Sequence, residues 1–286
     1  MKQADLDALE PWLGRTETRQ DVLTQGLIEK FHATFGPHLW QDAGDVPLGI
    51  HWCLALEAVP TDELSVDGHT EKGAFLPPVP LPARMWAGGE LTHIAPLRIG
   101  ETVTRHSTIR DITPKQGRSG PLIFVTVEHE YANGRQVCIA ERQTLVYRDI
   151  ARAQPARPRS GVQDQSTLKA RLTPDSVLLF RYSALTFNAH RIHYDHVYAT
   201  EIEAYPGLVV HGPLQATLLL NLAADVLKRT PDRLSFRGLA PISLPCELQL
   251  HCQKDGPAGT VWCQDQTGLR SFSAEYSALE GRSAGS

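Results

Sequence analysis

The side chains best suited to chemistry lie in residues 188–195, Asn188-Ala189-His190-Arg191-Ile192-His193-Tyr194-Asp195. An amide, two imidazoles, a guanidinium and a carboxylate stand within this one short run. Shortly after it, His211-Gly212-Pro213 opens a long apolar stretch. An imidazole titrates near neutrality, so it can take a proton from water and return it. The first backbone N–H groups of a helix have no intrahelical acceptor, and the helix dipole there favours negative charge. A proton carrier beside such a helix start is what water addition to an activated double bond requires. Water loses a proton as it attacks, and charge collects on an oxygen that needs donors.

Duller readings stand beside this one. His193 could be a core histidine with both nitrogens satisfied, and Asn188 a turn residue bonding local backbone. His190 divides evenly between packing and substrate contact. Arg191 reads first as a structural or solvated ion pair and second as a carboxylate binder. Gly212 also gives a tight helix entry. Imidazoles with a carboxylate bind zinc, which brings in His190, His193, Asp195, His196 and His211. With no His-Glu-x-x-His and no clean four-ligand spacing, no metal is expected. His51, His69, His93 and His129 are scattered and read as surface or packing residues.

The 286 residues are 42% hydrophobic and 21% charged, an ordinary globular composition. A net charge of −4 argues against a partner held by phosphate neutralisation, so no nucleic acid is expected. No apolar run approaches the ~20 residues of a membrane span. The polar start, Met1-Lys2-Gln3-Ala4-Asp5-Leu6-Asp7, lacks a signal-peptide apolar region. Five cysteines (Cys53, Cys138, Cys246, Cys252, Cys263) form no Cys-x-x-Cys pair and read as reduced, packed thiols. Together these predict a cytoplasmic protein.

The elements that must hold the candidate groups follow from periodicity. A Pro-, Arg-, Gln- and Ser-rich stretch beginning at Ala151 reads as a linker over 151–168. It divides the chain into halves at 1–150 and 169–286. The first half predicts a helix over 19–35, stopped by Gly36-Pro37. A proline-rich extended run over 73–82 comes next, then strands over 101–110, 122–131 and 136–147 with a hairpin turn at Asn133-Gly134. The second half predicts a helix over 174–185 capped by Thr173, a short helix near 195–201, and a helix over 213–229. That last helix is apolar around all but a Thr217, Asn221, Asp225 and Lys228 stripe, so other structure should wrap it. Strands follow at 235–239, 246–253, 260–264 and 270–276. Each half thus offers a buried helix and several antiparallel strands. No alternating β-α-β pattern or Gly-x-Gly-x-x-Gly is present, which excludes a dinucleotide fold.

Phe180-Arg181-Tyr182-Ser183-Ala184-Leu185-Thr186-Phe187, continuing through residues 188–195, with Leu208-Val209-Val210-His211-Gly212-Pro213-Leu214 after it, resembles the hydratase-2 motif of the MaoC-like hotdog enzymes. Residues 75–89, Phe75 through Arg84-Met85-Trp86 to Gly89, resemble the double-hotdog branch that hydrates 3-methylfumaryl-CoA (mesaconyl-CoA). The resemblance implies an α+β double hotdog, two antiparallel sheets each wrapped around a central helix. The second half would be catalytic, and the first a degenerate hotdog that shapes the acyl site. His193 falls on the family's catalytic histidine and Gly212 on the glycine whose N–H binds the thioester oxygen. Asn188 falls where the family carries an aspartate. It can orient water but cannot take its proton.

The implied reaction is hydration of 3-methylfumaryl-CoA to citramalyl-CoA, with coenzyme A as part of the substrate and no other cofactor. Arg84, Arg181 and Arg191 are candidate partners for the substrate carboxylate, and His190, His211 and Trp86 for further substrate contacts. The alternatives are a (3R)-hydroxyacyl-CoA/ACP dehydratase of fatty-acid metabolism and a non-catalytic acyl-CoA-binding hotdog. A thioesterase would need a nucleophile or general-base carboxylate, against which Asn188 weighs. Two hotdogs in one chain fit a monomer and a homodimer equally.

Overall fold

Strict alternation of burial builds the first sheet face. Along β4 (Gly120–Ala132), Ile123, Val125, Val127, His129 and Tyr131 turn inward in steps of two. The computed structural model describes residues 6–117, 120–149 and 167–278. Most of the expected linker, residues 151–166, lies outside them, but its last two residues begin strand β6.

The first half comprises β1 (Thr16–Val22), α1 (Gln25–Phe35), β2 (Ala83–His93), β3 (Thr102–Gly117), β4 and β5 (Val137–Arg148). The second comprises β6 (Thr167–Leu172), α2 (Ser176–Leu185), α3 (Gly212–Leu227), β7 (Arg233–Gly238), β8 (Leu248–Asp255), β9 (Ala258–Gln264) and β10 (Arg270–Ser277). The strands form one ten-stranded antiparallel sheet in the order β1-β3-β4-β5-β2-β7-β10-β9-β8-β6. Its halves meet where β2 pairs with β7, from Gly88 opposite Arg237 to Thr92 opposite Arg233. At that seam a Cβ on Gly88 would strike the Phe236 carbonyl, and one on Gly89 the Arg142 carbonyl, so only glycine lets three strands close up. This is the double hotdog, its two expected sheets joined edge to edge into one; the main apolar core runs through both halves, and a second, smaller cluster lies in the first half.

Helix α3 is wrapped as its sequence demands, with eleven buried residues from Leu214 to Ala224. Half of its expected polar stripe is buried too. Asn221 accepts from Trp40 N at 3.0 Å and donates to Leu48 O at 3.0 Å, clasping the 40–48 segment to the helix. Asp225 and Lys228 stay exposed and pair with each other. All five cysteines are buried and free.

Several elements depart from the sequence reading. The helix expected over 19–35 starts at Gln25, where Thr24 caps Leu27 N, because residues 16–22 pair as a strand along β3. Helix α2 is capped by Asp175, which accepts from Leu178 N at 2.8 Å, and not by Thr173. The short helix near 195–201 is a π-turn over Tyr198–Ile202. Strands β1, β2 and β6 were not anticipated. No helix among the described residues is long and apolar enough to cross a membrane.

Candidate active site

Helix α2 ends at Leu185, and the chain reverses through Phe187 at φ 49°. Asn188 N then donates to Ser183 O at 2.8 Å, and Asn188 Oδ1 accepts from His190 N at 3.0 Å. The asparagine therefore is the turn residue of its duller reading, and its NH₂ end is left for the cavity it lines. A 3₁₀ turn, Arg191–His193, carries the catalytic imidazole candidate inward.

His193 is 7% exposed, and its Nδ1 lies 2.7 Å from the Val209 carbonyl. A carbonyl only accepts, so Nδ1 carries the proton and Nε2 keeps its lone pair. Burial, then the neighbouring His211 and His190, hold His193 well below the usual imidazole range. It is a neutral base at physiological pH. Val209 N in turn donates to Ile192 O at 2.9 Å, so the loop holding His193 and the segment leading into α3 are laced together. Three residues beyond Val209 comes Gly212, the first residue of α3. The first intrahelical bond there runs from Gln215 N to His211 O, and Pro213 has no N–H, so Gly212 N–H is free of the helix ladder.

Both groups face a cavity of about 500 Å³ lined by the two halves together. Trp86 closes it over the helix start, packed in a cluster with Phe236 and Phe272 at centroid distances of 4.8 and 5.9 Å. A Cβ on Gly212 would come within 3.2 Å of Trp86 Cε3. The wall from β3, β4 and β5 sets polar groups among Val127, Leu145 and Val146. Arg105 pairs with Glu17 at 3.4 Å, and His129 bridges Ser107 and Gln143 at 2.9 and 2.8 Å.

Of the nine candidates, His193, Asn188, Gly212, His190, Arg84 and Trp86 line this cavity. Three do not. His211 is fully buried behind His193, its ring stacked at 3.6 Å and its Nε2 bonded to Ser183 Oγ at 2.9 Å. It packs against His193 and does not line the cavity. Arg191 is held by Asp195 Oδ2 at 3.0 and 2.7 Å and lies over Tyr198, which confirms its ion-pair reading and also spends Asp195. Arg181 sits on the outer side of α2 and donates to Ala33 O.

Sequence reasoning missed His69, His129, Arg105 and Glu203, which also line the cavity. Glu203 Oε1 lies 3.3 Å from His190 Nε2. His69 packs its ring 4.1 Å from that of His190 and meets Asp67 through Nδ1 at 2.8 Å. One ligand atom each from Asp67, His69 and His190 falls within 4.8 Å of the others. Long sequence separation hid these contacts. The chain offers no local pattern that would join residues near 69 to residues near 190.

A family model described as hydroxyacyl-thioester dehydratase type 2 matches residues 49–244. The chain belongs to this family, the MaoC-like hotdog dehydratases. The mesaconyl-C(4)-CoA hydratase of Chloroflexus aurantiacus is 42% identical over 266 residues, spanning 92% of this chain and 95% of its own. The mitochondrial hydroxyacyl-thioester dehydratase type 2 of Schizosaccharomyces pombe is 30% identical, spanning 83% of this chain and 90% of its own. The crystal structure of HtdX of Mycobacterium tuberculosis superposes with a TM-score of 0.66 at 18% identity, covering 93% of this chain and 100% of that one, and so shares the fold. As a member of the dehydratase family the chain is a carbon–oxygen lyase, a hydratase or dehydratase of CoA thioesters.

Proposed function

We propose that the enzyme adds water to 3-methylfumaryl-CoA, giving citramalyl-CoA. The observation that carries the chemistry is the His193 Nδ1–Val209 O bond, which leaves Nε2 as a lone-pair base facing the same cavity as Gly212 N–H. In this reading His193 Nε2 takes a proton from a water oriented by the Asn188 amide. The water oxygen bonds to the β-carbon, and the π electrons move through the α-carbon onto the thioester oxygen. Gly212 N–H stabilises that enolate oxygen, with the α3 dipole behind it. The enolate then collapses, and the α-carbon takes the proton back from His193. Water has been added across the double bond, and the base is restored. Asn188 contributes orientation alone, so His193 carries both proton transfers.

The 42% identity to a mesaconyl-C(4)-CoA hydratase supports the choice of acyl group. The test offers purified protein 3-methylfumaryl-CoA, crotonyl-CoA and a long-chain enoyl-CoA, with mass spectrometry for an added water. Turnover fastest with 3-methylfumaryl-CoA is expected. A preference for the long chain would reverse the substrate assignment, and no mass gain with any thioester would overturn the hydratase reading.

A further inference from the structure

The turn at residues 65–70 belongs to the first half but is fastened to the catalytic loop of the second. Arg191 N donates to Asp67 O at 2.9 Å, and Arg191 Nη1 to Val66 O at 3.2 Å. Gly68, at φ 89°, packs so closely that a Cβ there would collide with the Ala189 carbonyl oxygen. Within the turn, Asp67 accepts from His69 N at 3.0 Å and from the Ser65 hydroxyl, and its other oxygen meets His69 Nδ1. The turn thus delivers one imidazole, His69, to the cavity wall beside His190.

Arg84 of β2 stands on the same wall, near enough to His69 for its charge to act there. The other cavity arginine, Arg105, is ion-paired with Glu17, whereas Arg84 has no carboxylate within ion-pair distance among the described residues. Of the acids near this wall, Asp67 bonds to His69 and Glu203 to His190, and neither lies within ion-pair distance of Arg84. A partly buried guanidinium facing a cavity without a counter-ion is an anion site.

Its position says which anion. With the thioester oxygen at Gly212 N–H and the attacking water at His193 Nε2, the β-carbon lies against His193. A carboxylate on that carbon has its oxygens two bonds away. The His190 ring is 5.4 Å from that of His193 and 4.1 Å from that of His69, so His69 and Arg84 line the same cavity close to the base. We propose that Arg84 and His69 form a receptor for a carboxylate borne on the β-carbon of the acyl group, so that the degenerate half supplies the enzyme's substrate specificity. This rests on the hydratase reading above. In the empty site burial, then the Arg84 charge, push His69 down to about 3. A bound carboxylate offsets that charge and accepts from Arg84, and from His69 Nε2 once that imidazole has taken a proton, since Asp67 already holds the Nδ1–H. The spacing of Asp67, His69 and His190 would also suit a divalent cation, but the Arg84 charge opposes one.

The experiment compares kcat/KM for 3-methylfumaryl-CoA with kcat/KM for crotonyl-CoA, which has no second carboxylate, in wild type, Arg84→Gln, His69→Gln and Arg84→Lys. Removing one partner of a buried charge pair predicts that the ratio falls about 30-fold or more in each glutamine variant, with Arg84→Lys keeping part of it. Both substrates losing efficiency in step would overturn the receptor, assigning Arg84 to the coenzyme A phosphates or to structure. So would tight retention of zinc that His69→Gln abolishes. A wild type that hydrates crotonyl-CoA but not 3-methylfumaryl-CoA refutes the receptor while leaving the hydratase reading intact, and activity on neither thioester ends both.

Discussion

Replacing Gly212 by alanine probes the oxyanion donor without removing any polar group. The added Cβ would lie 3.2 Å from Trp86 Cε3, 3.5 Å from Phe272 Cε2 and 3.6 Å from Trp86 O. The first of these requires a shift of a few tenths of an ångström. The indole cannot easily supply it, because Phe236 and Phe272 stack on it and Trp52 meets it edge-on at 6.0 Å. The start of α3 must move instead, carrying Gly212 N–H out of line. Complete loss of an oxyanion donor costs about 10²–10³ in kcat. A misaligned donor should cost about 10–100-fold, roughly 1.4–2.7 kcal/mol of transition-state stabilisation. The loss should fall on kcat more than KM, since charge reaches the thioester oxygen only as water adds. Steady-state hydration kinetics with an enoyl-CoA read this directly. Trp86→Phe in the alanine background shrinks the obstructing ring and should recover part of kcat. An unchanged kcat, or a loss confined to KM, would refute the placement of the oxyanion at Gly212.

Since burial holds His193 below its ordinary value, the base stays unprotonated as the pH falls. The acid limb of kcat/KM should therefore lie below about 6.5, and a limb at or above that value would contradict the assignment. Stability should fall in the same direction. His69 and His211 are pushed down to about 3, His93 and His129 to about 4, and His51 and His193 well below the usual range, all chiefly by burial. The unfolded chain binds protons at these sites below about 6.5 and the folded chain does not, so stability present above about 6.5 is lost toward pH 4. Glu141, raised by burial to about 7, opposes this with one carboxyl against six imidazoles. Urea midpoints should drop between pH 6.5 and 5, and a flat profile would show that these histidines are not held neutral. Gly68→Ala should lower both Tm and kcat, because the turn at 65–70 must pull away from the Ala189 carbonyl. Unchanged melting and turnover would show that the contact between the halves is not tight.

The core of the site was legible because it is local. Asn188, His193 and Gly212 lie in two short segments, and the segment that bonds His193 leads straight into the helix that presents Gly212. Strands β3, β4 and β5 were legible from alternation, and α3 from its apolar circumference. Strand β1 was hidden because Val22 and Leu23, at its end, also fit the period of the helix that follows. Strand β2 begins directly after a proline-rich run and crosses two glycines, which erases the alternation a strand shows. Arg191 was offered to the substrate although Asp195, four residues on, was already its partner within one turn. The contribution of His69 and Arg84 depends on the turn at 65–70 and on β2 docking against the second half. That docking is long-range packing, which residue spacing does not encode.

The claim on which the account turns is that His193 moves both protons of the hydration. Comparing the rate of citramalyl-CoA formation from 3-methylfumaryl-CoA by wild type and by His193→Gln, with the fold of the variant verified by circular dichroism, tests it most directly. The account predicts a loss in kcat of about 10²–10⁴, since Asn188 cannot accept the proton in its place. A His193→Gln enzyme turning over at near the wild-type rate would contradict it.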